Sequence, residues 1–232
     1  MKELSQRANI LYREFNSTPV LIYEDHRFTV NVLYYYFIKT GMKSLNAFIF
    51  DKHCDLRDVG KNDKKKCSEI ASFKALFDFV EFDLSEDDND WVKGAMELNL
   101  IKDYYLFFAQ RIRNIAERNY NSENKINHII NYVSNDNIDT IVQNPKILKE
   151  PYFIDFDLDC FSYSVNDKIK AMNLEEIKNH IQYDKYKSFY EQLISGASFI
   201  SMCFESDFCG GINESRMIFN NINKLFFENK LW

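Results

Sequence analysis

Short apolar runs that end in ionisable side chains constrain this chain more than any other feature. Val20-Leu21-Ile22-Tyr23 leads into Glu24-Asp25-His26, and Ala47-Phe48-Ile49-Phe50 leads into Asp51-Lys52-His53-Cys54-Asp55. Tyr152-Phe153-Ile154 continues into Asp155-Phe156-Asp157-Leu158-Asp159, and the run 198–204 ends at Glu205. Apolar runs of this length suit strands that are covered on both faces. Further strands are predicted at 79–82 and 104–109. Helices are predicted at 29–39 (Thr29 as cap, Gly41 as stop), at 68–77, and after Asp90, which sits at a cap position before Trp91. The spacing of Ile126, Ile129, Ile130 and Val133 predicts a helix over 123–133. One long helix is predicted over 174–194, capped by Asn173 and stopped by Gly196, and an amphipathic helix over 214–227. The stretch 56–66 reads as a charged loop. Strands alternating with helices mean an α/β fold with a mainly parallel sheet.

Length and charge narrow the classes. The 232 residues, with 6 Gly and 3 Pro, suit one domain spanning 1–232 with little flexible linker. A net charge of −6 argues against nucleic acid as a partner, because phosphate binding needs clustered Lys and Arg. The five Cys are odd in number and lack CxxC spacing, so neither a disulfide framework nor a Cys-type zinc site is expected. A reducing, cytoplasmic setting follows. No stretch approaches the ~20 apolar residues of a membrane span, and the N-terminus lacks an apolar signal core.

In α/β folds ligands sit beyond the carboxyl ends of strands. His26, the Asp51 to Asp55 stretch, the Asp155 to Asp159 stretch and Glu205 all fall there. On extended backbone Asp51, His53 and Asp55 share one side, as do Asp155, Asp157 and Asp159. Carboxylates gathered on a buried strand cost several kcal/mol each to desolvate, and a bound cation compensates them. Oxygen and imidazole donors suit a hard or borderline divalent metal. The four negative charges of Asp51, Asp55, Asp157 and Asp159 balance two divalent ions. Asp155 is either a further ligand or a hydrogen-bonding support behind one. Two registers fit the strand, Asp155 with Asp157 or Asp157 with Asp159; the second lies nearer the strand end.

These residues resemble a known family. Asp51-Lys52-His53-Cys54-Asp55 is similar to the DxHxD motif of the arginase/agmatinase (ureohydrolase) superfamily, and Phe156-Asp157-Leu158-Asp159 to its FDxD motif. His26 matches the upstream metal histidine. The EDH, DxHxDL and DxDLDxF pieces resemble the small arginase-like family that includes the peptide arginases. The resemblance implies a three-layer α/β/α, arginase/deacetylase-like fold with two divalent ions, Mn²⁺ by analogy. One ion would take His26, Asp51, Asp55 and Asp157; the other would take His53, Asp51, Asp157 and Asp159. The implied reaction cleaves a guanidinium C–N bond through a hydroxide shared by the two metals. Asp159 would handle the proton and Glu205 would pair with the guanidinium. The acidic loop 87–90 and Trp91 are placed at the entrance, with Asp90 and Trp91 as substrate contacts. Two departures favour an arginine-containing peptide over free arginine: Cys160-Phe161-Ser162 replaces the usual LDP continuation, and the chain is shorter than ordinary arginases.

Other features have plainer readings. His128 and His180 lie on predicted helices as structural or surface residues, Cys54 is a small buried hydrophobe, and Gly210-Gly211 is a turn. Asp90 and Trp91 also read simply as a cap and a packed aromatic. Two rival functions remain: a deacetylase-like amide hydrolase with one zinc, and a silent binding module that keeps a metal for stability.

Overall fold

The computed structural model describes residues 10–85, 89–109, 118–144 and 146–231. Its centre is an eight-stranded sheet among those residues, ordered β1-β2-β10-β7-β3-β4-β6-β5. The strands are β1 (Leu11–Phe15), β2 (Thr18–Tyr23), β3 (Leu45–Phe50), β4 (Ile101–Phe107), β5 (Asn119–Asn121), β6 (Asn127–Val133), β7 (Tyr152–Asp157) and β10 (Ile200–Cys203). The six inner strands run parallel, and β1 and β5 pair antiparallel at the two edges. A separate hairpin joins β8 (Ser162–Val165) and β9 (Lys168–Ala171).

The apolar runs form the inner strands because both of their faces are covered. Leu21, Ala47, Ile49 and Phe153 pack with helices α1 (Phe28–Thr40), α2 (Lys61–Glu69), α3 (Phe73–Phe82) and α4 (Trp91–Glu97). Ile22, Phe48, Phe50, Ile154 and Phe156 pack on the other side with α5 (Ile138–Val142), α6 (Leu174–His180), α7 (Tyr183–Gly196), the short α8 (Ser206–Cys209) and α9 (Ile212–Phe226). The result is a three-layer α/β/α arrangement. Helices from the first part of the chain cover one face, and those from the last part cover the other. Stacked rings fill the second layer, with Phe50 against Phe107 and Phe156 at 4.9 and 4.8 Å.

Several elements differ from the sequence expectation. Residues 127–133 are a strand, not a helix: His128, Ile130 and Tyr132 are buried while Ile129 is exposed, a period of two. Phe79 to Phe82 complete α3 instead of forming a strand. The charged stretch from Lys61 is helical. The long helix is two, broken where Gln182 takes a left-handed φ of 51°. Thr29 does not cap α1, because its hydroxyl meets the Tyr23 hydroxyl at 2.5 Å. At Asn173 the expected cap is present as a full capping box with Glu176.

Candidate metal centre

Strands β2, β10, β7 and β3 are neighbours, so their carboxyl ends form one continuous rim. His26 follows β2, Asp51 follows β3, Asp157 ends β7 and Glu205 follows β10. This neighbourhood brings together side chains that lie up to 179 positions apart in sequence. Asp155 and Asp157 alternate onto the same face of β7. The strand then ends, and Asp159 is carried by a 3₁₀ turn (Leu158–Phe161), where its own N–H donates to Asp157 Oδ1 at 3.2 Å. The three carboxylates therefore do not share one strand face, as extended backbone would require. The Asp51 to Asp55 stretch is likewise a loop. The His53 N–H donates to Asp51 Oδ1 at 2.6 Å, folding the backbone over, and Asp55 takes a left-handed φ of 48°.

The turn places His53 and Asp55 in two different donor groups that share Asp51. His26, Asp51 and Asp55 each offer a donor atom to one group, and Asp51, His53 and Asp159 to a second; within each group the atoms lie within 4.8 Å of one another. A third such group joins His26, Asp157 and Glu205. His26 Nδ1 lies 3.4 Å from Asp55, 3.3 Å from Asp157 and 3.5 Å from Glu205. His53 Nδ1 lies 3.1 Å from Asp159 Oδ2. Asp155 meets the other edge of the His26 ring, with Nε2 at 2.6 Å from its Oδ2, and also accepts from the Ser201 hydroxyl and from Tyr23 at 3.5 Å. Asp155 thus stands behind His26 and aims Nδ1 at the cluster, the arrangement in which a carboxylate orients a ligating imidazole. No sequence motif marks Ser201 or Tyr23; only their position on strands of the same sheet, beside Asp155 and His26, does.

Burial and like charge dominate the electrostatics. Asp51, Asp55, Asp157, Asp159 and Glu205 are all buried, whereas the His53 side chain is 33 % exposed and faces the opening. Burial, then Asp55, Asp157 and Asp159, push the Asp51 carboxyl well above the carboxylate range. Burial and the Asp159 charge lift Asp157 to about 7. Burial and Asp157 lift Glu205 to about 11. His26 is driven well above an ordinary histidine, its burial outweighed by Asp155 and the other acids. His53 is raised by its bond to Asp159. Among the described residues, the cationic partners that touch Asp51, Asp55, Asp157 and Asp159 are His26 and His53. Asp51 Oδ2 is buried without a hydrogen-bond partner among those residues. A crowded, buried oxygen and imidazole set with an unmatched carboxylate oxygen fits divalent metal ions.

Trp91 and Asp90 both depart from the sequence expectation. Trp91 does not line an entrance: it is fully buried, its indole N–H donates to Asp55 Oδ2 at 2.7 Å, and its ring lies 4.7 Å from that of His26. Asp90 is buried too, and its side chain accepts from the Ser85 N–H at 3.1 Å in place of capping α4. Asp87 and Asp88 lie outside the described residues. His128 is on a strand, its Nδ1 3.0 Å from the Lys102 carbonyl, and His180 ends α6 beside Phe108, so neither is among the grouped donors. Cys54 is half-buried, and all five cysteines are free thiols. No helix among the described residues is long and apolar enough to cross a membrane.

No protein-family model matches the chain, and no curated protein matches it by sequence. Among solved structures the chain is similar to a hypothetical agmatinase from Burkholderia thailandensis, with 12% identity and a TM-score of 0.52. The match covers 88% of this chain and 56% of that one, so the chain spans little more than half the length of that protein. At this identity the likeness is one of fold. Together with the three layers and the parallel sheet, it means that the chain has an arginase-like fold, with acids and imidazoles gathered at the carboxyl end of the sheet.

Proposed function

We propose that this chain is a metal-dependent hydrolase that cleaves a guanidinium C–N bond, acting on arginine side chains in a peptide or protein to leave ornithine and release urea. The observation that carries this reading is the sharing of Asp51 between two donor groups, one with His26 and Asp55 and one with His53 and Asp159. A shared carboxylate suits two ions side by side, and a one-ion amide hydrolase has no need of it. A fold like that of a hypothetical agmatinase is consistent with a guanidinium substrate.

When bound, two divalent ions, Mn²⁺ by analogy, would supply a water activated near neutral pH and a counter-charge for the acids. His26, Asp51, Asp55 and Asp157 are proposed to hold one, and Asp51, His53, Asp157 and Asp159 the other. Asp155 holds the His26 ring by Nε2 and so keeps Nδ1 turned toward the other donors. Asp159 lies against His53 at the exposed side of the cluster, where it can move a proton to the departing side-chain nitrogen. Glu205 is the proposed anchor for the guanidinium. A cation brought beside it lowers its pKa, so the substrate itself ionises the carboxyl that receives it. Phe208, exposed and 6.2 Å from the His53 ring, marks the mouth of the site.

The test is release of urea, with ornithine left behind, from arginyl peptides by Mn²⁺-loaded protein, with metal content measured on the same sample. About two ions per chain and Mn²⁺-dependent urea are expected. No urea from peptide, free arginine or agmatine would refute the guanidine hydrolase reading. A single tightly held zinc would favour the amide hydrolase.

A further inference from the structure

We infer that Trp91 is a positioning residue for one half of the metal centre, holding Asp55 and His26 in place to ligate. This rests on the metal reading above and goes beyond it by assigning an uncharged, non-ligating side chain to one ion and not the other.

Asp55 sits on left-handed backbone, which residues with a Cβ adopt at a cost and keep only when their surroundings hold them. Four contacts hold its loop. Tyr104 Oη donates to the Cys54 carbonyl at 3.1 Å, the Arg57 N–H to the Asn89 carbonyl at 2.9 Å, Lys93 Nζ to Asp58 at 2.8 Å, and Trp91 Nε1 to Asp55 Oδ2 at 2.7 Å. Of these four, the Trp91 bond is the one made to a grouped donor side chain. An indole N–H donates and never accepts. It therefore fixes one carboxylate oxygen without adding charge or competing for a cation. The same ring packs on His26 at 4.7 Å, tilted by 46°, so a single side chain buttresses two members of one group. Its contacts with the centre run to Asp55 and His26, which join Asp51 in one group and are absent from the group of His53 and Asp159. Complete burial keeps Trp91 away from any substrate.

The test is Trp91→Phe, which keeps a ring against His26 and removes the N–H. Mn²⁺ is titrated into full-length, chelator-stripped protein and followed by calorimetry. In the variant, one of the two ions should bind about tenfold or more weakly, as for loss of a ligand's hydrogen-bond partner, while the other keeps its affinity. Wild-type affinity at both sites would overturn the inference, as would equal weakening of both, which a merely loosened fold would give. Wild-type protein that binds no metal would overturn it together with the metal reading. A second measurement covers a variant that fails to fold. The chain has 2 Trp, so Trp232→Phe leaves Trp91 as the sole indole. Its emission should shift as one ion loads and hold steady as the other does. An emission unchanged throughout loading would overturn the inference.

Discussion

Replacing Asp157 by Asn tests the electrostatic reading of the centre most directly, because it should stabilise the stripped protein while disabling it. Asp157 is raised from 3.8 to about 7 by burial and neighbouring acids. That shift of about 3 units corresponds to roughly 4 kcal/mol against folding once the carboxyl is ionised in both states. The proton is shared across the cluster, so a gain of about 2–4 kcal/mol is expected near pH 8. An amide serves part of the existing contacts. Its oxygen can accept the Asp159 N–H, now at 3.2 Å, but its NH₂ cannot receive the proton of His26 Nδ1, now 3.3 Å from the carboxylate, so the gain falls short of the full shift. At about 2–4 °C per kcal/mol for a chain of this size, chelator-stripped Asp157→Asn should melt about 5–15 °C above stripped wild type near pH 8. Near pH 4 the wild-type carboxyl is protonated in the folded state, and the gain should fall to about 1 kcal/mol or less. Metal should reverse the order. At about a hundredfold excess over Kd, Mn²⁺ should add about 2.7 kcal/mol to wild type and nothing comparable to the variant. Thermal melts with and without Mn²⁺ at both pH values decide the matter. A stripped variant that melts below wild type near pH 8, or one that keeps the full Mn²⁺ shift, would refute the reasoning.

Asp157 and Glu205 have folded-state pKa values above their unfolded ones, so the folded state holds protons that the unfolded chain releases, and stability falls as pH rises through about 4 to 7 for Asp157 and on toward about 11 for Glu205. His53 is raised as well; its contribution is complete below the ordinary histidine pKa and lost above its folded value, the same direction. Stripped protein should therefore lose stability steadily from pH 5 to 8 in denaturant melts, and a flat or rising profile would contradict this. Asp155→Ala removes the acceptor behind His26 and should weaken Mn²⁺ binding about 10–100-fold by calorimetry; unchanged affinity would remove Asp155 from the centre. Gly196→Ala would set a Cβ 2.5 Å from the Tyr152 hydroxyl, which now donates to the Leu193 carbonyl at 2.9 Å, and should cost about 1–3 kcal/mol in urea unfolding. Asn173→Ala breaks the capping box of α6 and should cost about 1 kcal/mol, with no change in metal binding.

The inner strands and the grouped donors were legible because their signals are local and mutually supportive. Continuous apolar runs mark buried parallel strands, and the acids and histidines at their ends follow from the rule that α/β sites lie at carboxyl ends. Strand β6 was not legible, because Ile126, Ile129, Ile130 and Val133 happen to fit a helical spacing. Only the burial of His128, Ile130 and Tyr132 reveals the alternation, and burial is a tertiary property. The break at Gln182 carries no Gly or Pro to announce it. The loop form of the Asp51 to Asp55 stretch depends on one side-chain-to-backbone bond that the motif alone does not dictate. The place of Trp91 after the apolar run 79–82 suggests an entrance residue. That it turns inward is decided by Asp55, a partner 36 positions earlier.

The strand order also sets when the centre can exist. Strands β2 and β3 come early and are joined through α1, yet two strands from the far end of the chain, β10 and β7, lie between them in the sheet. Three strand spacings of about 4.8 Å separate β2 from β3, a gap of roughly 14 Å that stays open until late segments fill it. A chain emerging from the ribosome would carry His26, Asp51, His53 and Asp55 for more than a hundred residues before Asp157 and Asp159 join them. Such distant pairings form slowly. Metal capture would therefore be one of the last events in the protein's assembly, a seal on a finished sheet and not a seed for it.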